Sequence, residues 1–250
     1  MSAPPRPVYS GETPAQGLAR RFAERQILGS LRSDLRRVVW VGGPLADPAP
    51  GRPLVIYANH HYYPDSFLLW HLTTRLLRRP MIVWMEAWRR APLFGPVGAL
   101  PFPTDDARGR ARTVRETARR MGRDARTALY LYPEGGMRVP EDGLGPFRAD
   151  LPRLARVLPE NVAWWPVGVR VVWWGEARPT ALLAAGPAHD APDGDERRRL
   201  ADVLDRLEAA RPGDLDAGRA RTVLEGAPGP DERWDLSRLA PLFEKWTFRG

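Results

Sequence analysis

The stretch Leu54-Val55-Ile56-Tyr57-Ala58-Asn59-His60-His61-Tyr62-Tyr63-Pro64-Asp65 decides how this chain is read. Its first four residues are apolar and rich in β-branched and aromatic types, and a Pro-rich turn over 44–53 precedes them. That is the composition of a buried strand. The strand ends on polar residues. From Asp65 to Leu77 the apolar residues Phe67, Leu68, Trp70, Leu72, Leu76 and Leu77 then come in a helical pattern. A strand that stops at a polar turn and leads into a helix is the building unit of α/β proteins, which carry reactive groups at strand ends.

Outward from this unit, Val38–Val41, Met81–Met85, Ala128–Tyr132, Val162–Val172 and Thr180–Ala185 read as further strands. Residues 107–124, 149–157, 195–210 and 233–240 read as helices. The alternation predicts an α/β fold, a mostly parallel mixed sheet flanked by helices. Upstream, Leu18, Phe22, Leu28, Leu31, Leu35 and Val38 recur at mostly three- and four-residue spacing with arginines between them. Residues 16–38 are therefore expected to form a basic amphipathic helix, which either lies on a membrane surface or packs on the domain. The expected organisation is a flexible arm over 1–14, one domain over 15–190 that includes this helix, and a helical C-terminal extension over 191–250.

Composition narrows the functions. A 43% hydrophobic fraction provides for a sizeable core. The absence of Cys excludes disulfides, thiolate metal sites and a Cys nucleophile, and with only four His no metal site is expected. The formal charge of +8 rests almost wholly on Arg, Lys245 being the single Lys. Such a surface attracts nucleic acid, anionic headgroups or a CoA-like donor. No nucleic-acid-binding pattern accompanies it, so nucleic acid is not an expected partner. The first fourteen residues lack an apolar core, and no run reaches the ~18 apolar residues that span a bilayer. A cytoplasmic protein, peripheral at the inner face of the membrane, is the expectation. The tandem pairs Trp164-Trp165 and Trp173-Trp174 read as core or interfacial; a strand places one ring of each pair on each face, so that one of each pair could meet lipid.

Two stretches can carry chemistry. In the first, His60 is the side chain best suited to general-base work near neutral pH, and the turn containing Pro64 can fold Asp65 back to hold the ring's far nitrogen. By spacing alone, Asp65 more readily fits a helix cap before Ser66 and His60 a loop residue. The second stretch, Tyr132-Pro133-Glu134-Gly135-Gly136-Met137-Arg138, also comes after an apolar strand. Glu134 offers an acceptor for hydroxyls, Arg138 a fork for phosphate, and Gly135-Gly136 a close backbone approach. By itself it more readily fits a Gly-rich turn with a surface ion pair.

Together, the Asn-His-x4-Asp run and a strand ending in Pro-Glu-Gly about seventy residues later resemble the glycerolipid (lysophospholipid) acyltransferase family, which includes the 1-acylglycerol-3-phosphate acyltransferases. Gly98-Ala99-Leu100-Pro101-Phe102-Pro103 looks like that family's glycine-led second motif, and Trp165-Pro166-Val167-Gly168-Val169 like its fourth. The resemblance covers about residues 35–190. It implies that His60 takes the proton from an acceptor hydroxyl and that Asp65 orients and charge-stabilises the ring. The oxygen then attacks the thioester of acyl-CoA or acyl-carrier protein, which serve as co-substrates, with no cofactor and no acyl-enzyme. It further implies that Asn59, Gly98, Thr104, Glu134, Gly135, Gly136 and Arg138 line the substrate site. The partners it implies are a lipid acceptor and an acyl thioester donor at a membrane surface.

Two positions depart from the pattern. Thr104 stands where the family has a phosphate-binding Arg, with Asp105 and Asp106 after it, and one extra residue puts Met137 at the expected Arg position, with Arg138 next. These changes weaken the case for a phosphorylated acceptor. They keep open an uncharged glycosylated or isoprenoid alcohol, and also a lipid-binding or scaffold role without turnover.

Overall fold

The computed structural model describes residues 13–148, 151–229 and 237–241. The expected arm over 1–14 lies outside them except for Thr13 and Pro14, which cap and begin a helix; of the expected helix over 233–240, residues 237–240 are described, with a 3-10 turn at Ser237–Leu239.

Helix α1 (Pro14–Asp34) begins where local chemistry dictates. Thr13 and Gln16 form a reciprocal capping box, and Pro14 takes the first helical position, where it lacks no needed donor. The helix stops four residues short of the expected end, because the chain turns extended at Leu35 and enters strand β1 (Arg37–Val41). The remaining strands are β2 (Leu54–Ala58), β3 (Met81–Met85), β4 (Ala99–Pro101), β5 (Ala128–Leu131), β6 (Ala163–Val172), β7 (Thr180–Ala185) and β8 (Ala220–Glu225). Between or beyond them lie helices α2 (Asp65–His71), α3 (Ala107–Arg123), α4 (Leu151–Ala155), α5 (Glu196–Ala209) and α6 (Gly213–Asp216).

All eight strands join one sheet in the order β4-β3-β5-β2-β6-β7-β1-β8. The first five in that order, β4 to β6, run parallel; β7 turns back antiparallel to β6, β1 lies parallel to β7, and β8 closes the edge antiparallel to β1. Side chains of β2 alternate between two cores. Leu54, Ile56 and Ala58 face α1 and α2, while Val55 and Tyr57 face the side covered by α3, α4 and α5. A sheet covered on both faces buries its central strands completely, and every residue of β2 is buried.

This double cover corrects two expectations. Trp164 and Trp165 do point to opposite faces, but both are buried, 1% and 4% exposed, so neither meets lipid. Trp173, beyond the end of β6, is the exposed ring. The C-terminal region is also not purely helical. Residues 220–225 form β8, an edge strand held on β1 by a bulged ladder and by an Arg36–Glu225 ion pair. Its apolar content, Val223 and Leu224 between charged residues, is too short to announce a strand; pairing makes it one.

Helix α1 buries Ala23, Ile27 and Leu31 against the domain and leaves Leu18 and Phe22 exposed. Glu24, also buried, is clamped between Arg20 at 2.8 Å and Arg75 at 3.0 Å. The helix thus packs on the domain along one face. No helix among the described residues is long and apolar enough to cross a membrane.

His71, at the end of α2, gives the fold an acid weakness. Burial lowers its pKa from 6.5 to about 4, and its only polar contact among the described residues is a long 3.5 Å approach to the Val223 carbonyl of β8. An unfolded chain protonates this ring below pH 6.5, whereas the folded one resists down to about 4. The site's contribution is therefore present above 6.5 and lost as pH falls. Between about pH 7 and pH 5 the loss is about 2 kcal/mol. Urea unfolding at the two pH values is expected to show wild type losing that much more stability than His71→Leu.

Candidate active site

Strands β2 and β5 are parallel neighbours with Tyr57 level with Leu131, so their C-terminal ends lie side by side. The turn that leaves β2 at Asn59 is thereby brought against the turn that leaves β5 at Tyr132. A backbone hydrogen bond, Arg138 N–H to the His60 carbonyl at 2.9 Å, ties the two turns together.

Asp65 folds back as the turn allows. Its Oδ2 accepts from the N–H of His61 at 2.7 Å and of Tyr62 at 2.8 Å, and lies 3.2 Å from His60 Nδ1. Asp65 is fully buried, and its side chain caps no helix: the residue before α2 is Pro64. The choice left open by spacing is thus resolved toward a His–Asp pair. A carboxylate oxygen facing Nδ1 holds the proton there and leaves Nε2 as the free nitrogen, and the His60 side chain, 19% exposed, lines a cleft.

The neighbouring His61 cannot substitute. Val169 donates its N–H to Asn59 Oδ1 and accepts from Asn59 Nδ2, each at 2.8 Å, which fixes the orientation of the amide. The same Nδ2 faces His61 Nδ1 at 3.2 Å, so that nitrogen is an acceptor and the proton sits on Nε2, which is buried without a partner among the described residues. Burial also lowers the pKa of His61, with Glu134 and Asp65 opposing the shift.

The ring of His60 lies flat on Tyr132, centroids 4.1 Å apart and planes 12° from parallel. Tyr132 is itself fixed by a 2.9 Å hydrogen bond between its hydroxyl and Ser66 Oγ, while Tyr130 donates to the Ser66 carbonyl at 3.1 Å. Burial, with Tyr130 and Asp65 adding to it, raises the Tyr132 pKa far above the ordinary range, so the hydroxyl stays protonated. Tyr132 opens the second of the two stretches, yet nothing in its spacing announces a stack on His60. Since such contacts contribute about 0.5–1.5 kcal/mol, Tyr132→Leu is expected to slow turnover about three- to tenfold and Tyr132→Phe to change it little, as read in steady-state rates.

The cleft beyond His60 has a volume of about 1270 Å³ and is mainly apolar. Phe67, Trp70, Met81, Phe94 and Val97 line its interior. Of the sequence-derived candidates, His60, Gly135, Gly136 and Thr104 line it as well, and Asp65 stands behind His60. The others do not. Asn59 is wholly buried and serves as a strand extension, its amide replacing a backbone pair with β6. Gly98 sits under β3 with φ +106, and a Cβ there would lie 2.1 Å from the Met81 carbonyl oxygen, so its glycine is a packing requirement. Glu134, its side chain 1% exposed, accepts from the Gly145 N–H at 2.7 Å rather than facing the cleft. Arg138 turns to Glu134 at 3.7 Å and Asp142 at 3.9 Å. Thr104, at the rim, donates to Glu86 at 3.2 Å.

A family model described as Acyltransferase matches residues 41–170, just over half the chain and the span that carries both turns. The chain belongs to the acyltransferase family. Among solved structures, this acyltransferase is similar to the 1-acyl-sn-glycerophosphate (LPA) acyltransferase PlsC from Thermotoga maritima, with 16% identity over 79% of this chain and 80% of that one and a TM-score of 0.48. Among curated proteins, no sequence match is found.

Proposed function

We propose that this acyltransferase moves a fatty acyl group from acyl-CoA or acyl-carrier protein to the hydroxyl of a lysophospholipid or related lipid alcohol, with His60 as general base. The observation that carries the reading is the His60–Asp65 pair opening on a large apolar cleft. Its volume, about 1270 Å³, exceeds the roughly 300–1,000 Å³ of common small-molecule sites and suits a long hydrocarbon chain.

In this mechanism Nε2 of His60 takes the proton of the acceptor hydroxyl as its oxygen attacks the thioester carbonyl. The Asp65 carboxylate stabilises the imidazolium so formed. Collapse of the tetrahedral intermediate breaks the carbon–sulfur bond, and the leaving thiolate takes the proton from His60. The products are an ester and a free thiol, and the enzyme returns to its starting state. Positioning in the cleft supplies the remainder of the acceleration.

The test is incubation of purified protein with acyl-CoA and a cell lipid extract, with thiol release measured in parallel with mass spectrometry of the lipids. Release that depends on the extract, together with a new ester, is expected. Release of equal rate without any acceptor makes the protein a thioesterase and overturns the reading.

A further inference from the structure

Helix α3 is fixed to the sheet along one face. Thr113, Thr117 and Met121 are buried there. Thr113 donates to the Pro101 carbonyl of β4, and the Trp84 indole of β3 donates to Thr117 at 2.9 Å. Asp106 caps the first turn by accepting from the Gly109 N–H at 2.9 Å. The direction of the opposite face is thereby set as well. At 3.6 residues per turn, Arg108, Arg112, Arg115, Arg119 and Arg123 fall within an arc of about 80° that faces away from the buried side. All five are exposed, and from first to last they run about 22 Å along the helix axis.

Little of this charge is neutralised within the chain. Glu116, the one carboxylate of the helix, pairs with Arg119 and Arg120. Arg108, Arg112, Arg115 and Arg123 have no carboxylate partner among the described residues. One flank of the same helix borders the cleft. Ala107, Ala111, Val114 and Arg115 line it, as His60 does, so Arg115 is common to the stripe and the cleft wall.

The length and composition of the stripe select among anions. A helix that lies on lipid adds apolar anchors to its cations. None of the exposed large apolar side chains among the described residues is on α3. The phosphates of a nucleotide gather round one sugar and would occupy one end of the stripe only. Unpaired arginines spaced along a rigid helix suit carboxylates spread over the surface of a folded protein, and such complementarity guides encounter and fixes register.

We propose that the arginine stripe of α3 docks an acidic acyl-carrier protein, whose thiol-bearing arm brings the acyl thioester along the flank of the helix into the cleft of His60. This rests on the acyl-transfer reading above and names the carrier of the donor.

Calorimetric titration of the full chain with a bacterial holo-acyl-carrier protein at low salt reads docking without turnover. The triple variant Arg108→Gln, Arg112→Gln, Arg115→Gln keeps residues of good helix propensity. It is expected to weaken carrier binding about tenfold, the sum of three exposed charge pairs of ordinary strength. Removal of the same charge from the exposed side of α1, by Arg21→Gln, Arg25→Gln and Arg32→Gln, is expected to weaken it less than about twofold. The α3 variant is expected to sediment with vesicles of equal parts phosphatidylglycerol and phosphatidylcholine as wild type does. Wild type that ignores the carrier protein, an α3 variant that binds it as wild type does, or an equal loss from the two triple variants overturns the assignment. So does a loss from the α3 variant that falls instead on the vesicles, which gives the stripe to a membrane, or on free CoA, which gives it to a nucleotide donor. A chain that binds the carrier protein through α3 yet transfers no acyl group keeps this surface and loses only the proposed reaction. One that transfers from acyl-CoA while ignoring the carrier protein keeps the reaction and loses the surface.

Discussion

His60→Ala is expected to lower acyl-transfer turnover by about 10²–10⁴-fold, the usual contribution of a positioned imidazole base. The fold is expected to survive. The side chain lies at the cleft, and its one polar partner among the described residues is Asp65, which keeps two backbone donors when the ring is gone. The structural loss is the stack on Tyr132, about 1 kcal/mol, which corresponds to a melting temperature lower by about 2–4 °C in a chain of this size. Activity thus falls far out of proportion to stability. Steady-state thiol release and a thermal melt on the same preparation measure both. Turnover near the wild-type level would remove His60 as the base and with it the proposed mechanism.

The central sheet and the places of the two turns were legible in the sequence for a shared reason, whereas the pairing of His60 with Asp65 was implied only by the family resemblance. Buried parallel strands are apolar on both faces, so Leu54–Tyr57 and Ala128–Leu131 stand out as uninterrupted runs, and Val162–Val172 as one broken only by Pro166, Gly168 and Arg170. The residues that end such a run are then conspicuous, and both candidate turns end one. Spacing does not carry pairing order, however. That β2 and β5 are neighbours, and so bring His60 beside Tyr132, comes from long-range packing between residues about seventy positions apart.

Roles within the turns were harder to read because a polar side chain has two uses. Asn59 and Glu134 have the chemistry of ligand-binding residues, yet burial turns both inward: Asn59 completes a strand ladder and Glu134 holds a loop. A residue's type states what it can bond to, and only its surroundings decide which partner it meets. The strand β8 was missed for a related reason, since an edge strand needs little apolar sequence of its own.

Asp65 separates catalysis from architecture. One oxygen, Oδ2, faces three donors, while Oδ1 is buried without a partner among the described residues. In Asp65→Asn, the N–H groups of His61 and Tyr62 hold the amide oxygen in the place of Oδ2, because an amide nitrogen there would meet two donors. The loop is kept, and Nδ1 of His60 still finds an acceptor, but the negative charge that stabilises the imidazolium is gone. Turnover is expected to fall about 10²–10⁴-fold with a modest change in melting. Asp65→Ala removes the acceptor as well and strands two buried N–H groups at roughly 1–3 kcal/mol each, so the same catalytic loss arrives with a destabilisation of several kcal/mol. Urea unfolding alongside rate measurements distinguishes the two variants. If Asp65→Asn retained near-normal turnover while Asp65→Ala lost stability, the carboxylate would be a loop fastener alone, and the ring of His60 would need some other source of charge stabilisation to serve as a base.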